Sequence, residues 1–220
     1  MTVPTVFVVD DDEAVRGGLK TLLQSIGLRV QVYASAQDFL AGYHPEAPGC
    51  LVLDIRMPGM GGLDLQERLA QQGVRLPIIF LTGHGDVPAA VRALKAGAMD
   101  FLEKPFNSQV LLDRVQQAIL RDAEARSRSA EESRIADRLA TLTAREHEVL
   151  HMLIAGKANK VIAMDLEISE RTVEFHRGKI MKKMQARSLA ELINMVHTPA
   201  LGRDRKSTRL NSSHSSVSRM

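Results

Sequence analysis

Four short apolar runs, each stopping on a polar residue, restrict what this chain can fold into more than any other feature. Val6-Phe7-Val8-Val9 ends at Asp10-Asp11-Asp12, and Leu51-Val52-Leu53 ends at Asp54. Ile78-Ile79-Phe80-Leu81 ends at Thr82, and Phe101-Leu102-Glu103 at Lys104-Pro105. Uninterrupted apolar runs of this length suit strands buried on both faces of a parallel sheet. Helical patterns lie between them. Ala14 to Ile26 carries Val15, Leu19, Leu22, Leu23 and Ile26 on one side and stops at Gly27. A weak strand, Val30 to Tyr33, follows, and Ser35 caps a helix to Gly42. Further helices are expected over about Leu63 to Gln72, Val87 to Ala96 and Ser108 to Arg121. This alternation predicts a doubly wound parallel-sheet α/β domain, residues 1–121, with right-handed crossovers. In open parallel sheets the functional groups collect in the crevice outside the carboxyl ends of the strands. Carboxylates, a hydroxyl and an ammonium scattered along the sequence are thereby expected in one place.

Residues 122–140 contain neither proline nor glycine and are rich in Ala, Glu, Arg and Ser. They read as a helical polar linker, a continuation of the preceding helix. Beyond it the pattern is purely helical over 141–197, a small all-α domain. Thr143-Ala144-Arg145-Glu146 has capping-box spacing and opens a helix to Ala155, with Gly156 as its stop. A short helix over about Lys160 to Leu166 and another capped by Ser169 and reaching Met184 flank the turn Glu167-Ile168-Ser169. The pair is a helix-turn-helix candidate. A last helix starts after Ser188 and covers about Leu189 to Val196.

The formal charge of +3 is unevenly placed. Residues 1–123 hold 11 Lys+Arg against 14 Asp+Glu, residues 124–198 hold 13 against 11, and the last 22 residues hold 5 against 1. That basic end has a separate origin. Asp204-Arg205-Lys206-Ser207-Thr208-Arg209-Leu210-Asn211-Ser212-Ser213-His214 is the in-frame translation of a common sequencing-library adapter, so 204–220 is read as non-native read-through and 198–203 as a tail. The other reading of 204–220 is a disordered Ser/Arg-rich tail. Cys50 is the single cysteine and can form no intrachain disulfide, which suits a reducing cytosol. No apolar stretch approaches the roughly 20 residues that span a bilayer, and no secretory signal pattern opens the chain. A soluble, cytoplasmic protein with no membrane partner is expected.

Asp10, Asp11 and Asp54 would bring three carboxylates to adjacent strand ends. Carboxylates that close repel one another unless a hard cation neutralises them, and Mg²⁺ suits an oxygen-only site that keeps several waters. A carboxylate can attack a phosphoryl donor and form an aspartyl phosphate. Lys104 would supply an ammonium for the transferring phosphoryl group and Thr82 a hydroxyl for a phosphate oxygen. Lys104-Pro105 is a candidate cis peptide. Any one of these residues alone reads as a solvated turn residue; the joint pattern, in order and at strand ends, is far more specific.

On Val9-Asp10-Asp11, Leu53-Asp54-Ile55-Arg56-Met57-Pro58, Leu81-Thr82-Gly83-His84-Gly85-Asp86 and Asp100-Phe101-Leu102-Glu103-Lys104-Pro105-Phe106, residues 3–121 resemble a bacterial response-regulator receiver domain. The resemblance implies that Asp54 is the phosphoacceptor. It also implies that Asp10, Asp11 and Asp54 hold Mg²⁺, with a backbone carbonyl from Ile55-Arg56. Thr82 and Phe101 stand at the family's switch positions. Asp12 has no clear counterpart. The shifted face would dimerise on phosphorylation, with Val91 and Lys95 on it.

Segment 169–187 carries Arg171, Arg177, Lys179, Lys182, Lys183 and Arg187 against Glu170 and Glu174. At about 100° per residue, Val173, Ile180 and Met184 form a buried stripe, and Arg171, Phe175, Lys179 and Lys182 lie opposite. Such a stripe suits DNA phosphates, with groove-facing side chains reading bases. Glu174 would accept from a cytosine amino group and Phe175 touch a thymine methyl. A solvated amphipathic helix is the plainer alternative. His147-Glu148-Val149-Leu150-His151 matches a zinc-protease pattern, but no third ligand follows at a recognisable spacing, and the match reads as coincidence. Residues 142–196 resemble the LuxR/NarL-type effector domain. The shared residues are Leu142-Thr143-Ala144-Arg145-Glu146, Gly156, Asn159-Lys160-Val161-Ile162-Ala163, Ile168-Ser169, Thr172-Val173-Glu174-Phe175-His176 and Lys182-Lys183-Met184. The resemblance implies DNA contacts from Lys160, Arg171, Thr172, Glu174, Phe175, Arg177, Lys179, Lys182 and Lys183. A lysine is common in the family where Glu174 stands here, which favours a base-reading or intramolecular role for it. Together the two halves are similar to the FixJ branch of two-component transcription regulators, with a sensor histidine kinase, double-stranded promoter DNA and RNA polymerase as implied partners. Two other readings compete: a phosphorylation-controlled protein-interaction module, and a phosphatase or phosphotransferase using Asp54 as nucleophile.

Overall fold

The computed structural model describes residues 3–83 and 87–197. It divides into two compact units, with the boundary between Ser127 and Arg128.

The first unit is built on a five-stranded parallel sheet of order β2-β1-β3-β4-β5. The strands are β1 (Thr5–Val9), β2 (Arg29–Tyr33), β3 (Gly49–Asp54), β4 (Ile78–Thr82) and β5 (Asp100–Glu103). The central strands β1, β3 and β4 are buried along their whole length, while the edge strands are only partly covered. That difference follows from which runs are purely apolar. Helices α1 (Glu13–Ser25), α2 (Ala36–Gly42), α3 (Gly62–Gln71), α4 (Val87–Lys95) and the first part of α5 (Ser108–Ala140) complete the unit. The side-chain period of two along a strand splits the core into two layers. Phe7, Val9, Leu51, Leu53 and Phe80 pack with residues of α2, α3 and α4 on one face. Val6, Val8, Val52, Ile79 and Leu81 pack with α1 and α5 on the other. Cys50 lies in this second layer, and burial pushes its thiol up to about 12, so it is inert packing.

The caps form where short polar side chains precede the helices. Asp12 Oδ1 accepts from Ala14 N–H at 2.8 Å and Val15 N–H at 3.3 Å, and Ser35 Oγ from Asp38 N–H at 3.1 Å. Gly62 opens α3 directly against β3, where a Cβ would meet the Asp54 carbonyl oxygen at 2.2 Å. Only glycine permits that approach.

Helix α5 runs on past Arg121, unbroken to Ala140, so 122–140 is its second half, a helical continuation of the preceding element. Two of its residues are held within the first unit. Asp122, 3% exposed, accepts from Gly49 N–H at 2.9 Å and from Arg126 Nε at 2.8 Å. The Arg126 guanidinium also donates to the carbonyls of Pro45, Glu46 and Ala47.

The second unit packs residues of α5 with α6 (Ala144–Ile154), α7 (Asn159–Asp165), α8 (Glu170–Met184) and α9 (Leu189–His197). Ile135, Val149, Leu153, Ile162, Val173, Ile180, Met184 and Leu192 form its core. The capping box is present: Thr143 Oγ1 accepts from Glu146 N–H, and Glu146 Oε2 from Thr143 N–H at 2.8 Å. Between α7 and α8, Glu167 takes φ of 53°, turning the chain tightly into the Ser169 cap. No described helix is long and apolar enough to cross a membrane. The tail 198–203 and the segment 204–220 lie outside the described residues.

Candidate functional site

The four strand ends do converge. In register, β3 carries Asp54 beside Leu81 of β4, and Thr82 pairs with Glu103 of β5, so Lys104 emerges one residue beyond. The Lys104 N–H donates to the Thr82 carbonyl at 2.7 Å, and the Lys104–Pro105 bond is cis. From there Lys104 Nζ lies 2.6 Å from Asp10 Oδ2 and 2.6 Å from Asp54 Oδ1. Each carboxylate uses its other oxygen on backbone: Asp10 Oδ1 accepts from Asp12 N–H at 2.9 Å, and Asp54 Oδ2 from Arg56 N–H at 2.7 Å.

Asp10, Asp54 and Thr82 are all buried. Burial pushes the Asp54 carboxyl above the usual range and the nearby Asp10 charge adds to it, while the Lys104 ammonium and the Arg56 N–H oppose the shift. Burial also works against the Lys104 charge, but its two carboxylate partners outweigh it and hold its pKa above the ordinary value.

Three consecutive aspartates have three fates. Asp10 is buried on Lys104, Asp11 is exposed, and Asp12 caps α1. Among the described residues, no three His, Cys, Asp or Glu side chains stand close enough together to ligate a metal, and an ammonium lies between the two buried carboxylates. The donor set of Asp10, Asp11 and Asp54 is nevertheless all oxygen, as a hard cation requires. In the Ile55-Arg56 segment, the Ile55 carbonyl accepts from Gly62 N–H at 3.0 Å.

Phe101 is half-buried opposite Phe80 and packs on the layer that contains α4 residue Ala93. Val91 and Lys95 are exposed one turn apart on α4. His84, Gly85 and Asp86 of the loop after Thr82 lie outside the described residues.

On α8, Val173, Ile180 and Met184 are fully buried, and Arg171, Phe175, Lys179 and Lys182 are exposed, as the periodicity requires. Glu174 and, on α7, Lys160 are exposed as well. Thr172 and Arg177 serve the fold: Thr172 bonds Ser169 at the helix cap, and Arg177 donates to Asn159 Oδ1 at 3.1 Å. Lys183 has a partner inside the fold: its ammonium lies 2.6 Å from Glu146 Oε2 and 2.9 Å from the Thr141 carbonyl, so it neutralises a buried carboxylate. In the His147–His151 segment, Glu148 pairs with Arg145 at 2.7 Å.

Comparison with known proteins matches residues 6–116 to the response regulator receiver domain and residues 140–196 to bacterial regulatory proteins of the luxR family. The chain belongs to the two-component response regulators. Within them the regulator falls in the FixJ branch. It is 48% identical to the transcriptional regulatory protein FixJ of Azorhizobium caulinodans, covering 87% of this chain and 90% of that one. It is 47% identical to nodulation protein W of Bradyrhizobium diazoefficiens, covering 88% and 85%. Among solved structures, response regulator StyR superposes with a TM-score of 0.82 at 49% identity, covering 89% of this chain and 98% of that one. The regulator is thus a DNA-binding two-component response regulator.

Two features of the regulator's site were not legible beforehand. Arg16 of α1 donates from Nη1 to the Asp10 carbonyl at 2.8 Å, bracing the strand end that carries the buried acid. A lone arginine in an amphipathic helix gives no signal of this. The Glu146–Lys183 pair spans 37 residues, and only the capping-box spacing of Glu146 hinted at one half of it.

Proposed function

We propose that Asp54 accepts a phosphoryl group from a partner sensor histidine kinase and that the resulting aspartyl phosphate controls binding of α8 to promoter DNA. The observation that carries this reading is the Lys104 ammonium held within 2.6 Å of both Asp10 and Asp54 at the ends of neighbouring strands. A carboxylate oxygen of Asp54 attacks phosphorus, and the bond from phosphorus to the donor's leaving atom breaks, with the electron pair going to that atom. Lys104 is placed to balance the charge on the transferred group. Asp10, Asp11 and Asp54, with the Arg56 carbonyl, are the residues to hold Mg²⁺, which when bound neutralises phosphoryl oxygens. The Thr82 hydroxyl serves as the phosphate's further partner and Phe101 as the ring that responds. The added charge of about −1.5 to −2 is large enough to bias a two-state element.

In this reading residues 1–121 are the receiver and 141–197 the effector, and α4 contributes Val91 and Lys95 to a dimer face. Lys160, Arg171, Glu174, Phe175, Lys179 and Lys182 face duplex DNA. The regulator works in the cytoplasm, is not a turnover enzyme, and passes its output to RNA polymerase. The test is light scattering of the full chain with Mg²⁺ and acetyl phosphate. The wild type forms dimers and Asp54→Ala stays as it was before treatment; dimers of equal abundance in Asp54→Ala would overturn the assignment.

A further inference from the structure

The geometry points to Phe175 as a thymine reader, a side chain that selects DNA by touching the C5-methyl group in the major groove. This rests on the reading of α8 as the helix that enters duplex DNA. Of the six phenylalanines and two tyrosines in the chain, Phe175 is the one that is exposed, at 59%. Apolar burial does not account for it: Val173, two residues earlier, already fills the core side of the helix.

The ring is held in place before any ligand arrives. Lys179 Nζ sits over it, 4.4 Å from the centroid, and the His176 ring stands edge-on to it at 5.9 Å and 66°. The cation–π contact is electrostatic and gains from the positive charge of Lys179 itself. Arg171 lies one turn before Phe175 and Lys182 two turns after it, both exposed. An aromatic ring therefore stands in the middle of a basic stripe that suits phosphates.

A phenyl ring has no donor or acceptor. In the major groove the apolar group that protrudes from a base-pair edge is the thymine methyl, so that is what Phe175 can recognise. Base stacking, the usual use of an exposed aromatic on single strands, needs an open ring face, and Lys179 covers one. Contact with a methyl group needs only an edge. The DNA-reading residues of a helix-turn-helix lie toward the start of its second helix, and Phe175 is the sixth residue of α8.

The test uses a random duplex pool selected against the acetyl phosphate-treated full chain, followed by replacement of each thymine in the selected site by uracil, which removes only the methyl. Wild type should lose about fourfold in affinity at one or two positions per half-site, the value of burying one methyl group. Phe175→Ala, with folding checked by circular dichroism, should bind the thymine and uracil duplexes equally. Lys179→Met should keep the discrimination and lower the salt dependence. A wild type indifferent to uracil at every position, or a Phe175→Ala that keeps the same penalty, overturns the inference while leaving α8 as the DNA-binding helix. Failure of the pool to enrich any duplex overturns both.

Discussion

Lys183→Met separates a cation that holds the fold from one that holds DNA. Glu146 is 2% exposed in the second unit, and its Oε2 accepts from Lys183 Nζ at 2.6 Å and from Thr143 N–H at 2.8 Å. The Lys183 ammonium, then the Thr143 N–H, hold the carboxyl down at about 2, against an ordinary 4.5. A lowering of about 2.5 pH units corresponds to at most ~3.4 kcal/mol at 1.36 kcal/mol per unit. Lys183 is 32% exposed, so solvent screens the pair, and Thr143 supplies part of the effect. The share lost with Lys183 is then about 1.5–2 kcal/mol, or roughly 6–16 °C in the Tm of a unit this small. Because the folded pKa is depressed, this stability is fully present above pH 4.5 and disappears as pH falls toward about 2. Calorimetry of the full chain at neutral pH should show the second-unit transition lowered by that amount. It should also show a weaker acid dependence between pH 4.5 and 2. The log–log salt slope for DNA binding should stay at the wild-type value, whereas Lys182→Met lowers it by about 0.9. A Tm within about a degree of wild type, together with a reduced salt slope, would refute the reasoning.

Further outcomes follow from the acid cluster and from α5. Burial raises the Asp54 carboxyl pKa, so the ionised form destabilises the fold at neutral pH and this penalty is relieved as pH falls through the folded pKa. Asp54→Asn should therefore melt above wild type at pH 7, measured by calorimetry. Lys104→Met removes the cation between Asp10 and Asp54 and should tighten Mg²⁺ binding in isothermal titration while slowing phosphorylation by acetyl phosphate. Asp122→Ala leaves the Gly49 N–H and the Arg126 guanidinium without their buried acceptor and should cost about 2–4 kcal/mol. The loss should appear as faster hydrogen exchange at Gly49 and along the adjoining turn of α5.

The acid cluster was legible because buried parallel strands read as unbroken apolar runs, and the polar residue that ends each run marks the same edge of the sheet. Asp10, Asp54, Thr82 and Lys104 needed no more than that. The caps at Ser35 and Thr143 and the buried stripe of α8 were equally local, set by spacing within one element. What was not legible was the distant partner of a charge. Lys183 sits in a basic run and reads as a DNA contact, yet its acceptor is a carboxylate 37 residues earlier. Residues 122–140 read as a helical polar linker, and nothing in their composition shows that Asp122 and Arg126 bond the backbone of 45–49, more than 70 residues away. Asp12 drew no role from family resemblance and turned out to cap α1. Local periodicity identifies elements; long-range pairing of polar groups decides which charges remain for function.

The most direct measurement is the mass of the full chain after incubation with acetyl phosphate and Mg²⁺, followed by peptide mapping. One added phosphoryl group on the peptide containing Asp54, labile as an acyl phosphate and absent from Asp54→Ala, is the predicted result. Equal labelling of Asp54→Ala, or a label mapped to another residue, would contradict the assignment of this pocket as the switch.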